Sequence, residues 1–316
     1  SDWEEGVCCI TGFKDTNEHT PSLMEICTST MRMTAYGEER GWKTCPPITL
    51  ESDFDLTTTE GIQSAWDHLC RHTPDVICIA FPCDPWSTWQ RINGTWSDRK
   101  AKIEATRKIH RRLIRFIVDV IAWQVARGKH FLLENPECSE AWKLPELRAV
   151  LHKFVTWTTD MCQYNLTDPR TQLPMRKSTR LVSDCEEVYW ETSHKCQKDH
   201  DHTVIQGTTI DPTTGKSIRR SAFCGWYTKE FCVCVLKGFE AALCFAPLYK
   251  RSNTVYIQTS VTDGTMVVPP VDIASEDMLY WEVGDATTGD CWWSDYTHGY
   301  SIDDLYYQLS LIHISE

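Results

Sequence analysis

No stretch of the 316-residue sequence stays apolar over the roughly 20 residues that a membrane span needs. No pair of its 16 cysteines is spaced C-x-x-C, which removes the zinc-ribbon and thioredoxin patterns. Internal repeats are absent, and so is a charged-then-apolar leader behind Ser1. These absences predict a segment of a longer soluble polypeptide with no membrane association, held inside the cell in nucleus or cytoplasm. Cysteines inside apolar runs (Cys27, Cys78, Cys232, Cys234) read as small hydrophobes, so reduced thiols are expected rather than a disulfide framework.

Charge is uneven. The formal net charge is −12, yet residues 251–316 hold eleven Asp/Glu against one Arg, leaving −2 for the other 250 residues. Arg99 to Arg115 carries eight Lys/Arg and the single Glu104. That stripe is either a solvated helix face or a surface for phosphates.

Short apolar runs alternate with helical periodicity from residue 22 to about 245. Strands are expected at Ser22–Cys27, Pro47–Leu50, Asp75–Phe81, His130–Leu133, Phe154–Cys162 and Thr179–Ser183. Helices are expected at Met31–Arg40, Thr58–His72, from Ser97 or Asp98 to Gly128, at Ser139–His152 and at Thr228–Leu243. Alternation of this kind predicts an α/β fold with a parallel, doubly wound sheet. Trp66, Trp123 and Trp142 fall at helical spacing and are expected in the core. The chain divides into an N-terminal extension (1–21), one domain (22–246) with an insert at about 184–225, and an acidic C-terminal extension (247–316). Leu309–Glu316 reads like translated adaptor sequence and is left out of the fold.

In an open parallel sheet, reacting groups gather beyond the carboxyl ends of strands. Glu25 and Cys27 fall there after the first strand, Cys83 after DVICIAF, and Glu134 after HFLL. A thiol with a lowered pKa is a nucleophile, and a partly desolvated carboxyl can give or take a proton. On residues alone, Glu25 and Asp55 serve equally well as helix caps, whereas Pro82, Pro85 and Trp86 around Cys83 favour a rigid exposed turn over a buried strand end.

Phe81-Pro82-Cys83-Asp84-Pro85-Trp86-Ser87 resembles the Pro-Cys nucleophile motif of DNA cytosine-5 methyltransferases. Leu133-Glu134-Asn135-Pro136 is similar to that family's Glu-Asn-Val motif, with Pro136 where Val is usual. The two stand in the family's order, about fifty residues apart with one helix between. The likeness covers roughly residues 22–245 and is closer to divergent phage and retroelement members. It implies a Rossmann-like methyltransferase sheet that takes S-adenosylmethionine and acts on cytosine in DNA or RNA. Cys83 would add to ring carbon 6, and Glu134 would hold the base edge and protonate ring nitrogen 3. Arg176 or Arg180, in Arg176-Lys177-Ser178-Thr179-Arg180, would support the flipped base. Glu25, Cys27, Asp53, Asp55 and Pro82 match the cofactor-binding positions, and the basic helix would track phosphates. The sequence departs from the family in the first loop, CTSTMRMT, which has no glycine, and in the short interval for a DNA-recognition region. Those departures also fit an inactive nucleic-acid-binding or assembly module of a retroelement polyprotein. A small-molecule enzyme on the same scaffold is a third reading. Cys185, Cys196, His200 and His202 in the insert are ligand types suited to zinc, where a metal would staple a loop-rich segment.

Overall fold

The computed structural model describes residues 20–88, 90, 97–249, 261–262 and 265–266. The two terminal extensions therefore lie almost wholly outside the described residues. A six-stranded sheet forms the centre, in the order β2-β1-β3-β4-β6-β5. Its strands are β1 (Ser22–Ile26), β2 (Lys43–Thr44), β3 (Val76–Ala80), β4 (His130–Pro136), β5 (Val155–Asp160) and β6 (Ser178–Ser183). The described helices are α1 (Arg32–Glu39), α2 (Thr59–His72), α3 (Ser97–Ala126), α4 (Pro145–Leu151), α5 (Glu186–Thr192), α6 (Arg220–Phe223) and α7 (Lys229–Tyr249). A small hairpin, β7 (Thr208–Ile210) with β8 (Ser217–Arg219), precedes α6, and β9 (Val261–Thr262) pairs with β10 (Thr265–Met266).

Strand alternation sends side chains to two cores. Met24, Ile26, Ile77, Ile79, Phe131 and Leu133 meet residues of α2, α3 and α4 on one face. Leu23, Val76, Cys78, Leu132 and Leu181 meet Met33, Val188, Phe231, Val235 and Phe239 on the other. The sheet is thus covered on both faces, which explains why β3 reads as an unbroken apolar run. Trp66, Trp123 and Trp142 join the first core as expected, with Trp66 edge-on to Phe116 and Trp123. No described helix is long and apolar enough to cross a membrane.

Local signals set the helix ends. Thr58 caps α2 by accepting from the Gly61 amide, and Thr73 closes it in the left-handed region. Gly61 is required there, because a Cβ would stand 2.0 Å from the Asp55 carbonyl oxygen. Gly128, at φ 63°, ends α3. Buried Gln124 donates to the Pro74 and His130 carbonyls, tying that helix to the starts of β3 and β4.

Four expectations are corrected. The sheet is mostly rather than wholly parallel, since β6 runs against both β4 and β5. The link from β5 to β6 holds only a 3-10 turn, Met161–Tyr164, and no crossover helix, so the chain returns antiparallel. The strand expected at Pro47–Leu50 reduces to β2 and an Ile26–Ile48 bridge, because Pro46 and Pro47 have no amide to donate. The helix expected at Ser139–His152 breaks at Leu144, whose ψ of 129° is set by Pro145. Thiols are not all reduced: eleven described cysteines are free, but Cys70 is disulfide-bonded.

Candidate active site

The chain runs outward from β1 to β2, then returns to β3 on the other side of β1. That reversal makes the carboxyl ends of β1 and β3 a topological switch point, the place where open α/β sheets bind ligands. Glu25 and Cys27 stand at the end of β1, Pro82 and Cys83 beyond the end of β3.

Cys83 is half-buried in a rigid turn. Pro82 before it is exposed, and a 3-10 turn, Asp84–Trp86, follows, with the Trp86 amide bonded to the Cys83 carbonyl at 3.0 Å. Arg107 of α3 holds the turn: its Nε donates to the Pro85 carbonyl at 2.8 Å, and its guanidinium lies 5.4 Å from the Trp86 ring. Its Nη2 pairs with Glu140 at 3.0 Å. Burial raises the Cys83 thiol pKa and Asp84 adds to the rise, while Lys177 opposes it.

Glu134 is on the next strand, in register with Ala80 of β3. It is buried, yet both carboxylate oxygens are engaged: Oε1 by Lys177 Nζ at 3.2 Å, Oε2 by the Tyr227 hydroxyl at 3.1 Å. Asn135 Nδ2 donates to the Phe81 carbonyl at 2.7 Å, so the Glu-Asn pair clamps the segment leading to Cys83. Cys83, Glu134 and Lys177 form one electrostatic group, since Glu134 and Lys177 both act on the Cys83 thiol, in opposite directions.

Lys177 and Tyr227 are not singled out by the sequence pattern. Their only signal there is the basic run 176–180 and the Trp226-Tyr227 pair before the last helix. The two expected arginines make contacts of their own. Arg176 pairs with Asp160 at 3.3 Å. Arg180, opposite Asn135 in the β4–β6 ladder, covers the Trp142 ring at 5.4 Å.

Of the positions matched to a cofactor, Glu25 is fully buried at the end of β1. Its Oε2 accepts from the Thr34 amide at 2.7 Å and hydroxyl at 2.6 Å, capping α1. Burial raises its pKa against those bonds. The Thr28 side chain faces Glu25 and lowers its pKa, and neither Glu25 Oε1 nor Thr28 Oγ1 has a further partner. Cys27 turns the chain at φ 62°, and burial pushes its thiol up to about 12, which makes it an unreactive strand end. Asp53 is exposed at φ 65°. Asp55 accepts from the Thr57 amide and hydroxyl, which hold its carboxyl below the usual range.

Two surface cavities flank this edge. One of about 220 Å³ is bordered by Arg32, Asn165, Trp226 and Tyr227. Arg32 donates to the Tyr227 carbonyl at 3.3 Å and lies 5.2 Å from the Trp226 ring, joining the loop after β1 to the residue that binds Glu134. The other, about 440 Å³, is bordered by Trp86, Arg107, Lys108, Arg111, Glu140 and Lys143. It places the basic stripe of α3 beside the Cys83 turn.

The expected metal ligands are also redrawn. Cys196, His200 and His202 gather with Cys162, while Cys185 belongs to a separate group with His130 and Asp184. Its Sγ lies 3.0 Å from His130 Nδ1, at the amino end of β4. The reason is the path of the chain: β6 runs to the amino edge of the sheet, and α5 must intervene before residue 193.

The chain matches no protein-family model and no curated protein.

Proposed function

We propose that the chain is a cytosine-5 methyltransferase-like enzyme on a Rossmann-like sheet, acting on DNA. The observation that supports this most is the Cys83–Glu134–Lys177 group at the carboxyl ends of two neighbouring strands, beside the topological switch point of the sheet. Glu25 and Thr28 would hold S-adenosylmethionine at its amino-acid end, since beyond each other their Oε1 and Oγ1 atoms have no partner. When bound, that cofactor supplies an electrophilic methyl group for carbon 5 of the base.

The chain's own residues do the rest. Cys83 Sγ bonds to carbon 6 of a cytosine turned out of the duplex, and the carbon 5–carbon 6 π electrons move to carbon 5. Glu134 passes the proton lost by the Cys83 thiol to nitrogen 3 as that bond forms. Tyr227 orients the carboxyl, and Lys177 stabilises the Cys83 thiolate before attack. After methylation, water takes the carbon 5 proton, the carbon 5–carbon 6 double bond re-forms, the Cys83 thiolate leaves, and the nitrogen 3 proton returns to it through Glu134. The exposed cations Lys102, Lys108 and Arg115 of α3 meet the phosphates.

Trapping tests this directly. With S-adenosylmethionine and a duplex containing 5-fluorocytosine, the native chain should form a covalent adduct that Cys83→Ala abolishes. Tight duplex binding with no adduct in either protein would replace the enzyme with an inactive binding module.

A further inference from the structure

We propose that Cys162, Cys196, His200 and His202 bind one zinc ion that fastens residues 193–206 to the carboxyl end of β5 and the amino end of β6. The site is independent of the methyl-transfer reading.

The ligand-bearing atoms of these four side chains all lie within 4.8 Å of one another. Cys196 Sγ is 3.4 Å from His202 Nε2 and 3.8 Å from His200 Nε2. Zinc bonds of about 2.3 Å to sulfur and about 2.0 Å to nitrogen give a tetrahedral S–N edge of about 3.5 Å. Both imidazoles turn Nε2 toward the thiol, and His200 Nδ1 is held by Asp199 Oδ1 at 2.8 Å. A carboxylate behind a ligating histidine fixes its tautomer and strengthens it as a donor. Lys198, at φ 61°, folds its amide back onto Cys196 Sγ at 3.3 Å, a hydrogen bond that stabilises a thiolate. Two thiolates and two imidazoles in one closed set are a structural zinc donor set, with no position left for substrate.

The surroundings explain what the ion would do. Residues 193–206 have no helix or strand. They are tied to the body by the Cys196 amide on Asp160 Oδ2 at 3.0 Å, by the Asp160 amide on the His194 carbonyl at 3.0 Å, and by the Thr203 amide on the Pro174 carbonyl at 2.9 Å. Cys162 sits in the 3-10 turn just beyond β5, so the four ligands bridge the segment to the sheet. The Met161 amide bonds the Lys177 carbonyl at 3.0 Å, so the same junction carries the lysine that pairs with Glu134.

The test is metal content and thiol protection of the full chain. Native protein from zinc-replete cells, purified without chelator, should carry one zinc per chain. Cobalt(II) exchanged into it should show a tetrahedral spectrum with thiolate charge transfer. Cys185→Ser should keep the full equivalent, while Cys162→Ser should lose most of it. Alkylation mapped by mass spectrometry covers the case in which Cys162→Ser does not fold: in the native chain Cys162 and Cys196 should resist iodoacetamide until a chelator is added. Native protein without stoichiometric zinc, or with a Cys162–Cys196 disulfide, would overturn the site. Equal zinc loss in Cys162→Ser and Cys185→Ser would overturn the assignment of its ligands.

Discussion

Lys177 touches both halves of the candidate chemistry: it pairs with Glu134 and it opposes the upward push on the Cys83 thiol. The sign of its effect follows from charge, because a cation favours the thiolate over the thiol. Burial raises the Cys83 pKa in the free protein, so its alkylation rate should be low at neutral pH and climb above the ordinary thiol range. Lys177→Met should move that climb to still higher pH, read from iodoacetamide rates across a pH series. An unmoved profile would break the link between Lys177 and Cys83. Cys83 and Glu134 are legible in the sequence because prolines and apolar runs announce the ends of β3 and β4. Lys177 is not, because Arg176, Lys177 and Arg180 are chemically alike in a sequence. Only the antiparallel register of β6 decides which of the three faces Glu134.

Elements whose boundaries rest on local chemistry are legible in the same way: α2 from Thr58, the end of α3 from Gly128, β3 from its flanking prolines. Long-range pairing is harder to read. The direction of β6 depends on the missing crossover, and α5 has a weak signature because its seven residues, EEVYWET, bury little of their own surface. That short helix is placed by α7. Gly238 of α7 lies so close to α5 that a Cβ there would come within 2.6 Å of Val188 Cα, a backbone atom. Gly238→Ala should therefore cost about 1–3 kcal/mol of stability from overpacking, seen as a lower urea midpoint. Faster amide exchange across 186–192 should accompany it; a wild-type midpoint would show that the helices separate without penalty. The insert tests the same idea in another way. Chelation should make residues 193–206 sensitive to limited proteolysis while the sheet stays protected.

For the molecule as a whole, charge placement governs both stability and association. Asp119 on α3 has its carboxyl pushed up to about 7 by burial, with Arg115 pulling the other way. From about pH 4 to 7 the native state keeps a proton that the unfolded chain releases, so stability falls as pH rises through that window. Asp119→Asn should remove this fall, giving a gain of about 1–3 kcal/mol at pH 8 and little change near pH 4 in denaturant titrations. Equal gains at both pH values would show that the effect is packing rather than titration. Association should depend on α3, despite the acidic total. Lys102→Glu with Lys108→Glu should weaken duplex binding and make its salt dependence shallower, by a log–log slope of about one for each phosphate left without its cation. Anisotropy titrations at several salt concentrations measure this, and unchanged binding would move the interface elsewhere.

The two partners of Glu134 arrive late in synthesis. Lys177 follows it by 43 positions and Tyr227 by 93. A nascent chain that has placed β1, β3 and β4 therefore still holds that carboxylate without its cation and hydroxyl. In the proposed mechanism the Glu134 carboxylate is complete only once Tyr227 has emerged, and a product cut short before it also loses Phe231, Val235 and Phe239, which cover the second face of the sheet.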